Sequence, residues 1–151
     1  MESKNRQCSI SFVGQYELSV LGDHRIVLPA NLIRQLEGNG TEEVLPGRIP
    51  GLRALILCPG NLWGKWLKKL KRGFPCLDTY GGARAFITPW EPTRWDSKGR
   101  ITLPRRAREY AGIKAHDTVV VIGADYYIEL WADEEFTRMT RECETGLGEL
   151  A

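Results

Sequence analysis

One pentapeptide pattern occurs twice in this chain, and this internal repeat constrains the fold more than any other sequence feature. Arg25-Ile26-Val27-Leu28-Pro29 recurs as Arg100-Ile101-Thr102-Leu103-Pro104, from residue 25 to residue 100, a displacement of 75 positions. In both copies the alternating run predicts a short strand. The closing proline suits the first turn of a helix, where a missing N–H costs nothing. The repeat therefore predicts two structurally equivalent halves.

The residues that follow each copy predict the same succession of elements. Apolar residues at helical spacing come after the proline and stop at a glycine, Gly38 in the first copy and Gly112 in the second. These apolar residues are Leu32, Ile33 and Leu36 in the first copy, and Ala107, Tyr110 and Ala111 in the second. Each copy is therefore expected to contain two strands joined by a turn, a short helix and a further strand.

The second copy is expected to end in a hairpin, in which Thr118–Ile122 and Tyr126–Trp131 flank a turn at 123–125. Arg53–Cys58 supplies the corresponding strand of the first copy. Since a unit of about 45 residues rarely buries enough apolar surface to fold alone, we expect each copy to complete the other.

Two further helices are predicted, at Asn61–Arg72 and from Asp133 to about Thr145. The apolar face of the first comprises Leu62, Trp63, Trp66, Leu67 and Leu70, and the basic residues largely opposite are Lys65, Lys68, Lys69, Lys71 and Arg72. A thinner apolar seam on the second comprises Phe136, Met139 and Thr140. The Gly- and Pro-rich segments 39–50 and 73–84 are predicted connectors.

The succession of strands and helices predicts an α+β chain with four parts. They are a first repeat at 12–60, an amphipathic helix and connector at 61–86, a second repeat at 87–132, and a C-terminal helix and tail at 133–151.

Composition favours a globular cytoplasmic protein without a membrane span. Hydrophobic residues make up 42% and charged residues 26% of the 151 residues, which is near the average for globular domains. No apolar stretch approaches the roughly 18 residues needed to cross a bilayer, and the polar segment 1–7 carries no signal-peptide core.

Enzyme and metal chemistry have no residues to support them. Cys8, Cys58, Cys76 and Cys143 are scattered, without the two-residue spacing of zinc sites, and are expected to be reduced thiols. Phosphate-binding glycine loops, nucleophile elbows and paired catalytic carboxylates are absent from the sequence. We therefore expect a non-enzymatic protein with no cofactor, no metal and no small-molecule substrate.

Basic residues are concentrated between residues 94 and 108, although the net charge is only +2. They are Arg94, Lys98, Arg100, Arg105, Arg106 and Arg108, with Asp96 as the counter-charge inside that stretch. From Glu129 to Glu149 the balance turns acidic. One basic patch of this kind favours binding of a polyanion on one side of the molecule.

The segment Asp96-Ser97-Lys98-Gly99-Arg100 has the position of a tight hairpin turn. Gly99 can adopt a positive φ, and Asp96 can bond turn amides or hold an arginine in place. Arginine suits bidentate contact with guanine O6 and N7, and lysine attracts phosphate. The predicted DNA-binding residues are Arg25, Lys98, Arg100, Asp96, Arg94 and Arg105. The alternatives are an ordinary surface turn and, for the flanking arginines, a solvated face.

Two other features have open interpretations. Trp90, Trp95, Tyr126, Tyr127 and Trp131 can stack on unpaired bases, although we expect core or subunit contacts instead. The basic face at 65–72 suits a membrane surface or a solvated helix, and we favour the solvated helix.

Together these motifs resemble the MraZ transcription regulators, which carry two copies of the SpoVT/AbrB swapped-hairpin module. The resemblance covers most of the chain. It rests on Phe12-Val13-Gly14 followed by Arg25 and Pro29, on Asp96–Arg100, on Arg108–Ile113, on Val121-Ile122-Gly123 and on Ile128–Trp131.

The resemblance implies two pseudo-symmetric half-barrels with additional helices, assembled into ring-shaped homo-oligomers. It also implies recognition of double-stranded promoter DNA upstream of division and cell-wall genes, by a nucleoid-associated repressor. A ring would present several weak DNA-binding sites to repeated DNA sequences, and linked binding events raise affinity.

An Asp-x-x-x-Arg loop in each copy is associated with DNA contact in that family. Asp96 and Arg100 match the loop in the second copy, and Arg25 matches its arginine in the first. The first copy departs from the pattern, because Leu21 stands at the aspartate position and His24 at the turn glycine. Either Gly22 supplies a shifted turn or His24 itself adopts a positive φ.

Two other functions remain open. One is an antitoxin-like module of the same fold, which would bind a toxin protein through a terminal segment. The other is an assembly or interaction protein in which the degenerate first copy marks a loss of DNA binding.

Overall fold

Seven strands form two antiparallel sheets in the computed structural model, which describes residues 11–150. The strands are β1 (Gln15–Ser19), β2 (Arg25–Val27), β3 (Val44–Gly47), β4 (Leu55–Pro59), β5 (Arg100–Thr102), β6 (Thr118–Ala124) and β7 (Tyr127–Ala132). β2 and β5 form a two-stranded ribbon, and the others form a sheet in the order β1-β6-β7-β4-β3. The fold is therefore α+β.

Helices occupy the segments between and after these strands. They are α1 (Ala30–Gly38), α2 (Trp63–Gly73), α3 (Arg105–Ala111) and α4 (Asp133–Leu150). Shorter helical turns lie at Gly60–Leu62, Pro75–Asp78, Tyr80–Gly82 and Ala83–Ile87. Among the described residues, no helix is both long enough and apolar enough to span a bilayer.

Strand register relates the two copies by an approximate twofold axis. Ile26 pairs with Ile101 at the centre of the β2–β5 ribbon, and Leu55 pairs with Leu130 where β4 meets β7. The partners in both pairs are equivalent residues, separated by the same 75 positions as the repeat. Because all four side chains are buried, the axis runs through apolar contacts.

The edges of the large sheet show the same exchange between copies. Leu18 of the first copy pairs with Val119 of the second. At the equivalent place on the other edge, Thr93 of the second copy pairs with Val44 of the first, through N–H to O distances of 3.0 and 2.9 Å. Each copy therefore supplies strand partners to the other.

The amphipathic helix α2 packs its tryptophan face on this sheet. Trp66 and Leu70 are buried in the main core, and Leu62, Trp63 and Leu67 are partly buried against it. The basic residues, Lys65, Lys68, Lys69, Lys71 and Arg72, are all exposed. The predicted helix and its two faces are thus confirmed.

The C-terminal helix α4 covers a second, smaller apolar cluster. Phe136 and Met139 pack against Val120, Trp131 and Ala54. The helix continues to Leu150, beyond its expected end near Thr145.

The aromatic residues singled out in the sequence have the expected core contacts. Tyr126 and Trp131 are buried, and Trp90, Trp95 and Tyr127 are partly buried against the main core. The described thiols, Cys58, Cys76 and Cys143, are free, and Cys8 and the polar segment 1–7 lie outside the described residues.

Some predicted boundaries were wrong. The segment 39–50 contains strand β3 despite its Gly and Pro content, because Val44–Gly47 pairs antiparallel with β4, with Val44 opposite Pro59 and Gly47 opposite Ile56. Gly38 is still helical, and Gly40 takes the left-handed conformation at φ +71°. The predicted left-handed conformation of Gly112 is confirmed, also at φ +71°. The connector predicted at 73–84 contains short helical turns.

Candidate nucleic-acid interface

The turns that precede β2 and β5 have the same backbone geometry. In the first turn, the Leu21 N–H donates to the Arg25 carbonyl at 2.8 Å, and the His24 N–H donates to the Leu21 carbonyl at 2.9 Å. The equivalent atoms of the turn at 96–100 form the same two bonds, at 3.1 and 3.0 Å. The turn of the first copy is therefore not degraded in its backbone.

A left-handed residue stands just before the arginine in both turns. Gly99 has φ +79° and His24 has φ +65°. Histidine reaches this region more often than most side chains. Of the two alternatives for the first copy, a positive φ at His24 is confirmed, and a turn shifted to Gly22 is wrong.

Asp96 organises the second turn with both carboxylate oxygens. Its Oδ1 accepts the backbone N–H groups of Lys98 and Arg100, each at 2.9 Å, and its Oδ2 accepts the Arg100 Nε–H at 2.6 Å. The hydrogen bond from the Arg100 backbone is the main cause that lowers the pKa of Asp96 to about 2. Asp96 therefore bonds turn amides and also orients Arg100, as the sequence predicts.

Asp23 holds the arginine of the first turn, as Asp96 holds that of the second, and the sequence analysis did not identify it. Its Oδ2 lies 2.7 Å from the Arg25 Nε and 2.6 Å from the Arg25 Nη2. This side-chain hydrogen bond is the main cause that lowers the pKa of Asp23. Asp23 stands two residues before its arginine, at the position equivalent to Lys98, whereas Asp96 stands four residues before Arg100.

The two arginines converge on one oxygen atom. The Oδ2 of Asp96, already bonded to Arg100, lies 3.7 Å from the Arg25 Nη1. The side chains of Arg25 and Arg100 retain 32% and 31% of their exposure. The equivalent arginines of the two copies therefore lie side by side around the Asp96 carboxylate.

Arg25 and Arg100 differ in how many guanidinium nitrogens already contact other residues. Within residues 11–150, Arg25 uses its Nε and both Nη nitrogens in contacts to Asp23 and Asp96. In the same part of the chain, the polar contacts of Arg100 involve its backbone N–H and Nε. Both Nη nitrogens of Arg100 are therefore available to an external acceptor.

The other predicted site residues lie outside this cluster. Lys98 is exposed. Arg94 is 68% exposed and lies 3.9 Å from Glu43, while Arg105 is 73% exposed and lies 3.8 Å from Glu109 on its own helix. Among the described contacts, neither arginine touches Arg25 or Arg100. The positions equivalent to Arg94, Lys98 and Arg105 in the first copy are occupied by Ser19, Asp23 and Ala30.

The centre of the site is therefore charge-balanced, since two guanidinium groups face two carboxylates. Electrostatic attraction for a polyanion comes from exposed Lys98 and from the second copy's other basic residues. The Nη pair of Arg100 has the fork geometry that matches guanine O6 and N7. Residues 11–150 contain no group of three His, Cys, Asp or Glu side chains that could hold a metal ion.

Part of this chain matches a known protein-family model. The family model described as "MraZ protein, putative antitoxin-like" matches residues 91–148, which include the turn of the second copy and α3.

Curated relatives extend the similarity to the first copy. The chain is 29% identical to the Transcriptional regulator MraZ of Desulforamulus reducens over 141 residues, which cover 93% of this chain and 94% of the relative. It is 27% identical to the protein of that name from Bacteroides fragilis, over 88% of this chain and 84% of the relative. For Natranaerobius thermophilus the identity is 27%, over 93% and 94%.

Proposed function

The chain belongs to the MraZ family, and from this premise we propose that it regulates transcription by binding double-stranded DNA through the β2–β5 ribbon. The names of the relatives support a transcription regulator. The observation that carries the DNA-binding proposal is the pair of partly exposed arginines, Arg25 and Arg100, held by carboxylates beside the twofold axis of the ribbon.

The ribbon has a shape suited to groove recognition, because a two-stranded antiparallel ribbon fits the major groove of B-DNA. Asp96 holds the Nε of Arg100, which leaves the Nη pair to donate to a guanine edge. Lys98 is exposed on the same turn and would meet phosphate. Asp23 and Asp96 would act as positioning residues, since carboxylates repel the DNA backbone but fix the direction of the arginines.

The finer family features belong to the same proposal. We interpret the exchange of strands between copies as two swapped-hairpin half-barrels, with repeats at 12–60 and 87–132. We further propose a ring-shaped homo-oligomer in the cytoplasm, associated with the nucleoid, that represses division and cell-wall genes from their promoters. Several copies of a site with one available Nη pair would gain affinity by binding linked DNA repeats.

Titration of the full chain against its own upstream promoter DNA, at two salt concentrations, tests DNA recognition. If Arg100 contacts a guanine edge, Arg100→Ala should cost about 1–3 kcal/mol and relax preference at one base position. If Arg100 meets only phosphate, binding to all sequences should weaken alike, and the salt slope should fall by about one unit. Arg141→Ala, exposed on α4, is the matched control. Unchanged binding by Arg100→Ala would remove the proposed role.

The description of the family model favours a second candidate, an antitoxin-like module. In that case a toxin protein would bind through a terminal segment, such as the α4 region. The promoter titration separates the candidates, because neither a toxin-only module nor an assembly protein would prefer promoter DNA over a shuffled duplex.

A further inference from the structure

A hollow of about 250 Å³ lies between the two halves and is lined by three arginines. Arg48 directly follows β3, Arg84 lies in the segment between the copies, and Arg106 lies on α3. Thr88 and Trp90 complete the part of the wall that matters here. The described residues that line the hollow include no carboxylate. Arg48 and Arg106 both carry positive charge at this hollow, which favours an anionic ligand there.

Arg48 is held in a fixed orientation at the back of the hollow. Its Nε and Nη2 donate to the Ala85 carbonyl at 2.9 and 2.8 Å. Its guanidinium carbon lies 4.6 Å from the ring centre of Phe86 and 4.8 Å from that of Tyr110. Stacking and hydrogen bonding fix the plane of the guanidinium, which reduces the entropy lost when a ligand binds. Within residues 11–150 its Nη1 has no hydrogen-bond partner and is the donor left for that ligand.

Arg106 provides an exposed side chain at the edge of the hollow. It is exposed on α3, and no ion pair joins it to another residue of the described chain. Its neighbours on the helix are engaged elsewhere, since Arg105 lies near Glu109 and the Arg108 Nε–H donates to the Leu103 carbonyl at 3.0 Å. Arg106 can therefore turn toward an anion without breaking an ion pair.

We propose that this hollow is a binding site for a phosphoryl group, held by Arg48 and Arg106. Guanidinium forks match phosphate oxygens in geometry and charge. The phosphoryl group comes either from the DNA backbone or from a free phosphate-bearing ligand, and the chemistry of the contact is the same. The site uses none of Arg25, Asp96 or Arg100, so it stands independently of the proposed reading of bases.

Calorimetric titration of the full chain with inorganic phosphate, at constant ionic strength, tests the site directly. We expect saturable phosphate binding. Arg106→Gln should weaken the affinity about tenfold or more, because one charge-assisted hydrogen bond is lost. Arg34→Gln removes another exposed arginine, on α1, and should bind phosphate like the parent protein. Equal melting temperatures of the variants would establish that Arg106→Gln is folded.

Salt-dependent DNA titration in phosphate-free buffer identifies the source of the phosphoryl group. If it belongs to DNA, Arg106→Gln should weaken binding to all sequences alike and reduce the salt slope by about one unit. If it belongs to a free ligand, both proteins should bind DNA equally. Phosphate binding that is as strong in Arg106→Gln as in the parent would overturn the proposal. So would the absence of saturable phosphate binding together with an unchanged salt slope. Because Arg100→Ala tests base recognition separately, a failure of either proposal is distinguishable from a failure of the other.

Discussion

Replacing Asp96 by asparagine separates two roles of this carboxylate, its bonds to the turn and its charge. Asparagine keeps an oxygen that can accept the N–H groups of Lys98 and Arg100, both 2.9 Å from Oδ1. It removes the negative charge that lies 2.6 Å from the Arg100 Nε and 3.7 Å from the Arg25 Nη1. The turn should therefore form in Asp96→Asn, while the two guanidinium groups lose their shared anchor.

The expected loss of base preference in Asp96→Asn follows from the role of Asp96 in orienting Arg100. One bidentate arginine contact contributes about 1–3 kcal/mol of discrimination between bases, a factor of roughly 5 to 150. If Asp96 is what aims the Nη pair of Arg100, the preference for promoter over shuffled DNA should fall by up to that factor. Removal of a negative charge also frees a cation, so binding to shuffled DNA should strengthen and its salt slope should steepen by up to about one unit.

Fluorescence anisotropy with promoter and shuffled duplexes, each at two salt concentrations, measures both effects. Asp125→Asn is the matched control, because Asp125 is an exposed turn residue between β6 and β7 and the substitution changes charge by the same amount. If Asp96→Asn strengthens binding to both duplexes by the same factor, charge alone accounts for the effect. In that case the proposed positioning of Arg100 is incorrect.

Three further predictions concern stability and protonation. Leu130→Ala should lower the free energy of unfolding by about 2–5 kcal/mol, because Leu130 is fully buried. Circular dichroism and tryptophan fluorescence should report the same unfolding transition. Separate transitions would mean that the two halves fold independently. Gly99→Ala should cost about 1–2 kcal/mol in chemical denaturation, because φ is +79° there, and an unchanged midpoint would contradict that conformation. Since the pKa of Asp96 is lowered from 3.8 to about 2, its stabilising effect should be complete above pH 3.8 and disappear as the pH falls toward 2; an NMR titration midpoint of 3.8 or higher would contradict this.

The backbone of the site was predictable from the repeat. Equivalent sequences in two copies predict equivalent strands and turns, and the pairing of Ile26 with Ile101 places those turns around one axis. The left-handed residue before each arginine was also accessible, although the first copy left two alternatives at Gly22 and His24. The two turns were predictable because each depends on residues within a few positions, whereas their placement around one axis depends on the repeat.

The partners of the arginines were less predictable. The family pattern directs attention four residues before Arg25, where Leu21 stands, but the turn folds Asp23 back onto the guanidinium. A carboxylate two residues before an arginine is common on any surface, so sequence alone gave no reason to select it. Strand β3 was missed for a related reason, since the Gly- and Pro-rich composition of 39–50 does not reveal its partners, strand β4 and the bridge at distant Thr93.

The arginine-lined hollow was the feature least predictable from the sequence. Its walls come from three separated parts of the chain, around Arg48, Ala85 and Arg106. The sequence predicts Arg106 as part of a basic stretch and does not distinguish Arg48 at all. Only the packing of the Arg48 guanidinium against Phe86 and Tyr110 shows that it is an oriented donor and not a solvated charge.

The two turns show how one scaffold can carry different chemistry in its two halves. Buried apolar pairs on the axis, Ile26 with Ile101 and Leu55 with Leu130, keep the backbones equivalent. The exposed side chains are under no such constraint, so a lysine in one turn can be an aspartate in the other without a change of fold. The consequence is that Arg25 is enclosed by two carboxylates, whereas Arg100 keeps a free Nη pair beside an exposed lysine. In the proposed function, the second half of the ribbon would therefore make most of the base contacts. Multiple contacts would then come from linked copies of the chain and not from the two halves of one copy.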